Sequence, residues 1–319
     1  MREREEDALP EELAKLERAL SRLPLPPEPD WDAVRRRARP PVLVYAAAAA
    51  FLMVALGILA LARDAWRVEA LAGSPSLRGP SFGRRVAVLG GVATDAHSRA
   101  RIEVRGLGDV ELEPGSVLRR VIGRGAERKL ALDRGTLHAR VLAPPRLFIV
   151  ETPLGVAVDL GCAYTLSVGA EGRGRLEVTS GRVTFAQAGL ESFVPAGTWC
   201  PLLPGGAGVP RRDYASDAFL AAIAAYDSLG RADEALDRVL AAAEASDALT
   251  LWHLLPRVER EDRERVAARI AELIEVPADV SRERLLALEP GALDAWWAAI
   301  GMGGADEWRA WPGKKVSWP

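Results

Sequence analysis

The sequence predicts a multidomain membrane protein, with a short helical tail, one transmembrane helix, an all-β unit and an all-α C-terminal domain. Three observations predict it. Residues 42–62, "VLVYAAAAAFLMVALGILALA", carry no charge. Between 84 and 203, short alternating runs are punctuated by glycine. From 213 to 319, apolar positions recur at helical spacing. The expected boundaries are 1–40 for the tail, 41–63 for the span, 64–83 for a linker, 84–203 for the β unit, 204–212 for a second linker and 213–319 for the helical domain.

The tail is too short to bury a sizeable core. Its one strong helical pattern is "PEELAKLERALSRL", in which Leu13, Leu16, Leu20 and Leu23 recur three and four residues apart and make one apolar stripe between charged faces. "PLPPEPDW" then breaks the helix, because clustered prolines favour extended structure. A second short helix is expected from an Asp30 cap. A stripe of this kind either docks into a groove on a cytoplasmic protein or belongs to a solvated tail. No His-x-x-x-Cys-x-x-Cys cluster is present here, which excludes a zinc-bound tail.

The apolar run is long enough at 1.5 Å per residue to cross a ~30 Å hydrocarbon core. A buried core helix rarely lacks polar residues for so long. A cleaved signal sequence is the other alternative, since Ala60-Leu61-Ala62 has the small-x-small form of a cleavage site. The run exceeds the usual ~7–15-residue apolar region of such signals, however. Tyr45 and Trp66 bracket it, and Arg35, Arg36, Arg37 and Arg39 precede it, against Arg63 and Arg67 with Asp64 beyond. The positive-inside bias then expects a single pass through the inner membrane, with the N-terminus cytoplasmic and the later domains periplasmic.

The net charge of −2 gives no general attraction to nucleic acid. Catalytic motifs are lacking. His97, His138 and His253 are scattered outside any ligand spacing, and neither a Gly-x-Ser-x-Gly elbow nor a GxxxxGK loop occurs. Glu111 and Glu113 read as one solvated strand face rather than an acid/base dyad. The expectation is a protein that is not an enzyme and holds no cofactor or metal.

Within the β unit, "VAVDL", "YTLSV", "RLEVT" and "RVTFA" show the two-residue alternation of half-buried strands, with "LDRG", "TSG" and "PAG" as turns. Regular short strands indicate a sandwich or a small solenoid.

These residues also carry a resemblance. Gly91 and Thr94 open a pattern that continues through Leu112, Leu132, Gly135 and Val141. It goes on through "F-x-V-x-T-x-x-G" at Phe148, Val150, Thr152 and Gly155, then Gly161, Val168, Val178, Gly181 and Val183. Over roughly 85 to 200 the chain resembles the FecR domain of bacterial transmembrane regulators. The resemblance implies a compact, all-β, solenoid-like unit. It also implies the family's order of a cytoplasmic anti-sigma segment, one span and this domain outside. A sigma factor is then the expected cytoplasmic partner, and an envelope protein or ligand the outer one. A structural or envelope-interaction protein with no sigma-factor role is the alternative. Two departures stand out. Cys162 replaces the family's Thr, with Tyr164 in the aromatic place, and the chain ends in helices.

With that resemblance, Cys162 and Cys200 fall in an oxidising compartment on strands that a solenoid-like stack would bring together, and a structural disulfide is expected between them, with two buried free thiols as the alternative. After 213, "SDAFLAAIAAYDSLG" begins at a Ser216 or Asp217 cap. Four further helical stretches follow, with stripes of Leu251, Leu254 and Leu255, and of Val266, Ile270 and Ile274. Trp296, Trp297, Trp308, Trp311 and Trp318 crowd the end, as core packing or as a partner patch.

Overall fold

The computed structural model describes residues 11–21, 27–33, 42–142, 144–204, 206–228 and 233–303. They divide into two compact units, Met1–Leu59 and Ala60–Pro319.

In the first unit, α1 (Glu11–Leu20) forms where the leucine spacing predicts it. Asp30 caps a helical turn at 31–33, its Oδ1 accepting from Asp32 N at 3.0 Å and Ala33 N at 2.9 Å. The apolar run folds as α2 (Val42–Arg63), which begins in this unit. Among the described residues no helix is long and apolar enough to cross a membrane. The expected transmembrane helix is thus not shown, and the expected fold class is corrected to a large β-sheet domain with helices.

In the second unit, strands alternate between two faces. They are β1 (Trp66–Ala72), β2 (Ser76–Arg78), β3 (Arg85–Val86), β4 (Gly91–Ala93), β5 (Arg99–Val104), β6 (Gly108–Leu112), β7 (Val117–Val121), β8 (Arg128–Val141) and β9 (Phe148–Thr152). After them come β10 (Gly155–Asp159), β11 (Ala163–Val168), β12 (Gly174–Ser180), β13 (Arg182–Gln187), β14 (Leu190–Pro195), β15 (Thr198–Leu203), β16 (Gly206–Ala207) and β17 (Arg211–Arg212). One sheet runs β3-β1-β5-β6-β8-β11-β12-β15, with β16 and β17 both on β15. The other runs β2-β4-β7-β8-β9-β10-β13-β14.

The long β8 belongs to both sheets. Its first half pairs with β7 and β9, its second with β6 and β11. Gly135 is the corner: its φ is +93°, and a Cβ there would lie 2.4 Å from Ser116 Cα. Only glycine combines that dihedral with that approach. The inward residues of both sheets, from Ile102, Leu112 and Leu166 on one to Leu132, Phe148 and Phe185 on the other, make one apolar core. Among the described residues every strand pairing is antiparallel except β8–β9. Stacked solenoid coils pair in parallel, so the solenoid-like expectation gives way to the sandwich.

Among the described residues six α-helices follow: α3 (Asp217–Ser228), α4 (Asp233–Ala242), α5 (Ala248–Leu254), α6 (Arg260–Leu273), α7 (Arg282–Leu286) and α8 (Pro290–Ala299). Ser216 Oγ accepts from Phe219 N at 3.3 Å, which is the expected cap. Leu251, Leu254, Leu255, Val266 and Ile270 are buried, as their spacing predicts, whereas Ile274, just past the end of α6, is half-buried. Trp296 and Trp297 are core residues, with Trp297 meeting Trp252 edge-on at 5.0 Å. Trp308, Trp311 and Trp318 lie outside the described residues. Phe193 and Val209, from the β segment, sit inside this helical core, so the two halves of the unit share their packing.

Candidate functional site

The N-terminal stripe is present in part. Leu16 and Leu20 lie one helical turn apart on α1, and each is 58 % exposed. An i, i+4 leucine pair left in solvent forgoes roughly 1.5–3 kcal/mol of burial per side chain, a gain that a partner groove would return. Leu23, and the side chain of Leu13, lie outside the described residues.

The family-pattern positions turn out to build the sandwich. Leu112, Leu132, Phe148, Val150 and Val183 are wholly buried between the sheets. Thr94 Oγ1 donates to Glu113 O at 2.7 Å and accepts from Ser116 N at 2.9 Å, which clasps the connection from β6 to β7. Ser116 Oγ in turn accepts from Thr136 N at 2.9 Å, beside the Gly135 corner. Thr152 Oγ1 donates to Gly155 O at 2.9 Å and closes the β9–β10 turn. The pattern therefore encodes corners and core rather than a reactive centre.

The cysteines are not joined: both are buried and free. The register explains why. Cys200 stands opposite Leu176 on β12, and Leu176 opposite Leu166 on β11. Cys162 is about 13 Å further along that strand and two strand spacings of ~4.8 Å away, far beyond the ~7 Å that a bridge tolerates. Each thiol has its own acceptor instead, Asp159 Oδ2 for Cys162 and Gly208 O, at 3.1 Å, for Cys200. Burial pushes the Cys200 thiol up to about 12, and raises that of Cys162 as well, so both are poor nucleophiles.

Sequence reasoning missed the seam between sandwich and helices. β14 is a sheet edge, and its outward backbone groups are taken by helical side chains. Phe193 N donates to His253 Nε2 at 3.0 Å, while His253 Nδ1 meets Leu249 O at 2.8 Å. This arrangement requires a neutral imidazole protonated on Nδ1, and burial lowers the His253 pKa to about 3. Arg257 Nη2 donates to Glu191 O at 3.1 Å and to Ser192 Oγ at 2.7 Å. Arg211 pairs with Asp227, and Thr250 Oγ1 donates to Pro210 O at 2.7 Å. The one available signal was His253 within "LTLWHLL", a polar residue on a helix otherwise without charge.

Asp159 was also missed. It is 1 % exposed, and burial raises its pKa to about 6 against the hydrogen bonds from Cys162 and Gly161 N. On the outer face of the first sheet, by contrast, the charges neutralise one another. Arg101 pairs with Glu111 at 2.6 Å, Arg99 with Glu113 at 2.9 Å, and His138 bridges Glu113 and Thr165. Such half-exposed pairs are worth little each, which agrees with a solvated face. Among the described residues no group of three or more His, Cys, Asp or Glu is placed to hold a metal ion.

Residues 91–184 match the family described as FecR protein, so the chain carries a FecR domain there. No curated protein matches the sequence. Two crystal structures of candidate anti-sigma factors from Parabacteroides distasonis ATCC 8503, at 1.65 Å and 2.50 Å resolution, are similar to this chain. They are 14 % and 13 % identical, with TM-scores of 0.35 and 0.30. The first covers 41 % of this chain and 63 % of its own, the second 54 % and 74 %. This chain thus spans less than two thirds of the first structure's length.

Proposed function

We propose that this chain, with its FecR domain at 91–184, is a regulator that receives a signal through its β–α unit and acts on a cytoplasmic sigma factor through α1. The observation that carries the reading is the FecR match itself, whose pattern residues are the ones that build the sandwich. The exposed Leu16 and Leu20 support the partner contact, because an amphipathic helix recognises a groove by such anchors. The protein works by binding alone, without chemistry of its own. The test is transcription from sigma-dependent promoters in a strain lacking the gene, complemented with wild type or with Leu16→Asp plus Leu20→Asp. Control that returns with wild type and not with the double variant supports the proposal. An unchanged transcriptome on deletion would contradict it.

A further inference from the structure

The first strands carry arginines of a different kind from those of the paired face. Arg63, Arg67, Arg84, Arg85 and Arg105 are all exposed and line two adjoining open cavities of 470 and 380 Å³, which share Arg67 and Arg85. Glu69 lines the first cavity and Glu103 the second, so positive charge prevails. Among the described residues none of the five arginines makes an ion pair with a carboxylate, whereas Arg99 and Arg101 a few residues on are both paired.

The strand register adds a second, independent observation. Arg67 and Arg85 are direct cross-strand partners in the β1–β3 pair, and on its other side Arg67 stands opposite Glu103 of β5, one carboxylate against two guanidinium groups. Like charges placed opposite each other destabilise a sheet, and a two-residue strand such as β3 has little pairing with which to offset this. Two neighbours are already oriented by backbone acceptors. Arg84 Nε reaches Val68 O at 3.5 Å, and Arg105 Nη1 donates to Arg63 O at 3.2 Å. An anion seated between Arg67 and Arg85 would turn the repulsion into two charge-assisted hydrogen bonds, and a phosphate group offers enough oxygens to accept from both guanidinium forks.

We infer that this concave surface is an anion site for a phosphate group, carried either by a lipid headgroup or by a small soluble phosphate. The site shares no residue with the seam of His253 and Arg257.

The experiment uses the full chain in detergent-free buffer at constant ionic strength. The soluble probes are inorganic phosphate and glycerol 3-phosphate, followed by calorimetry and melting temperature against matched chloride. The lipid probe is phosphatidylcholine vesicles with and without phosphatidylglycerol, read as the difference between the two. Arg67→Gln plus Arg85→Gln is expected to weaken binding of the responding probe about tenfold or more. Without any anion, the same variant should melt no lower than wild type, since a repulsion has been removed. Response to the soluble phosphates assigns a small ligand, and response to phosphatidylglycerol alone assigns a headgroup. Wild type and variant responding equally to every probe would overturn the site, as would wild type responding to none.

Discussion

His253 and Asp159 are buried groups whose protonation the fold biases in opposite directions. His253 has a folded pKa of about 3, below its ordinary 6.5, so the stability it contributes is present above 6.5 and is lost as pH falls toward 3. Asp159 is raised from 3.8 to about 6, so its contribution is present below 3.8 and is lost as pH rises toward 6. Between pH 4 and 6 the two slopes oppose each other. Asp159→Asn removes one of them. Its unfolding free energy relative to wild type should therefore increase by roughly 1.4 kcal/mol per pH unit across that window. Urea titrations at pH 4.5 and 6 check this, and a pH-independent difference would show that Asp159 is ionised in the fold. Asp159 was not legible beforehand, and His253 was legible only as a polar residue within an apolar helix. Burial shifts them, and a single sequence does not reveal which polar residues of an alternating strand or apolar helix lose their water.

At the scale of elements, the strands, the Ser216 cap and the leucine stripes of α5 were legible, because period-two and period-3.6 patterns follow directly from which face is buried. The disulfide was not. It depended on which strands neighbour each other, and register is set by long-range pairing that the local pattern leaves open. The same limit hid the sharing of β8 between two sheets, although Gly135 was visible as a pattern residue. Gly135→Ala should cost about 2–4 kcal/mol or more, because it combines a positive φ with a Cβ closer to Ser116 than atoms pack. Denaturant unfolding of the variant measures this, and a loss below about 1 kcal/mol would mean that the corner relaxes easily.

Across the whole molecule, sandwich and helices read in sequence as separate domains, yet their seam buries Phe193, His253 and Arg257 together. The helices thereby close the β14 edge, which would otherwise offer unpaired backbone groups to another chain. Arg257→Ala should remove the donors to Glu191 O and Ser192 Oγ, with a loss of about 2–4 kcal/mol and a tendency to self-associate. Chemical denaturation combined with light scattering tests both effects. A variant with the wild-type association state and stability would mean that the edge is protected by packing alone.

The proposed contact of α1 with a sigma factor is tested by direct binding. Purified full-length protein is titrated with each sigma factor of its own cell, as wild type and as Leu16→Asp plus Leu20→Asp. Desolvating even one unpaired carboxylate in an apolar groove is unfavourable by several kcal/mol, so the double variant should bind at least about a hundredfold more weakly. Saturable binding of one sigma factor by wild type, lost in the variant, is the predicted result. Equal affinity of the two proteins, or no sigma factor bound by wild type, would contradict the account.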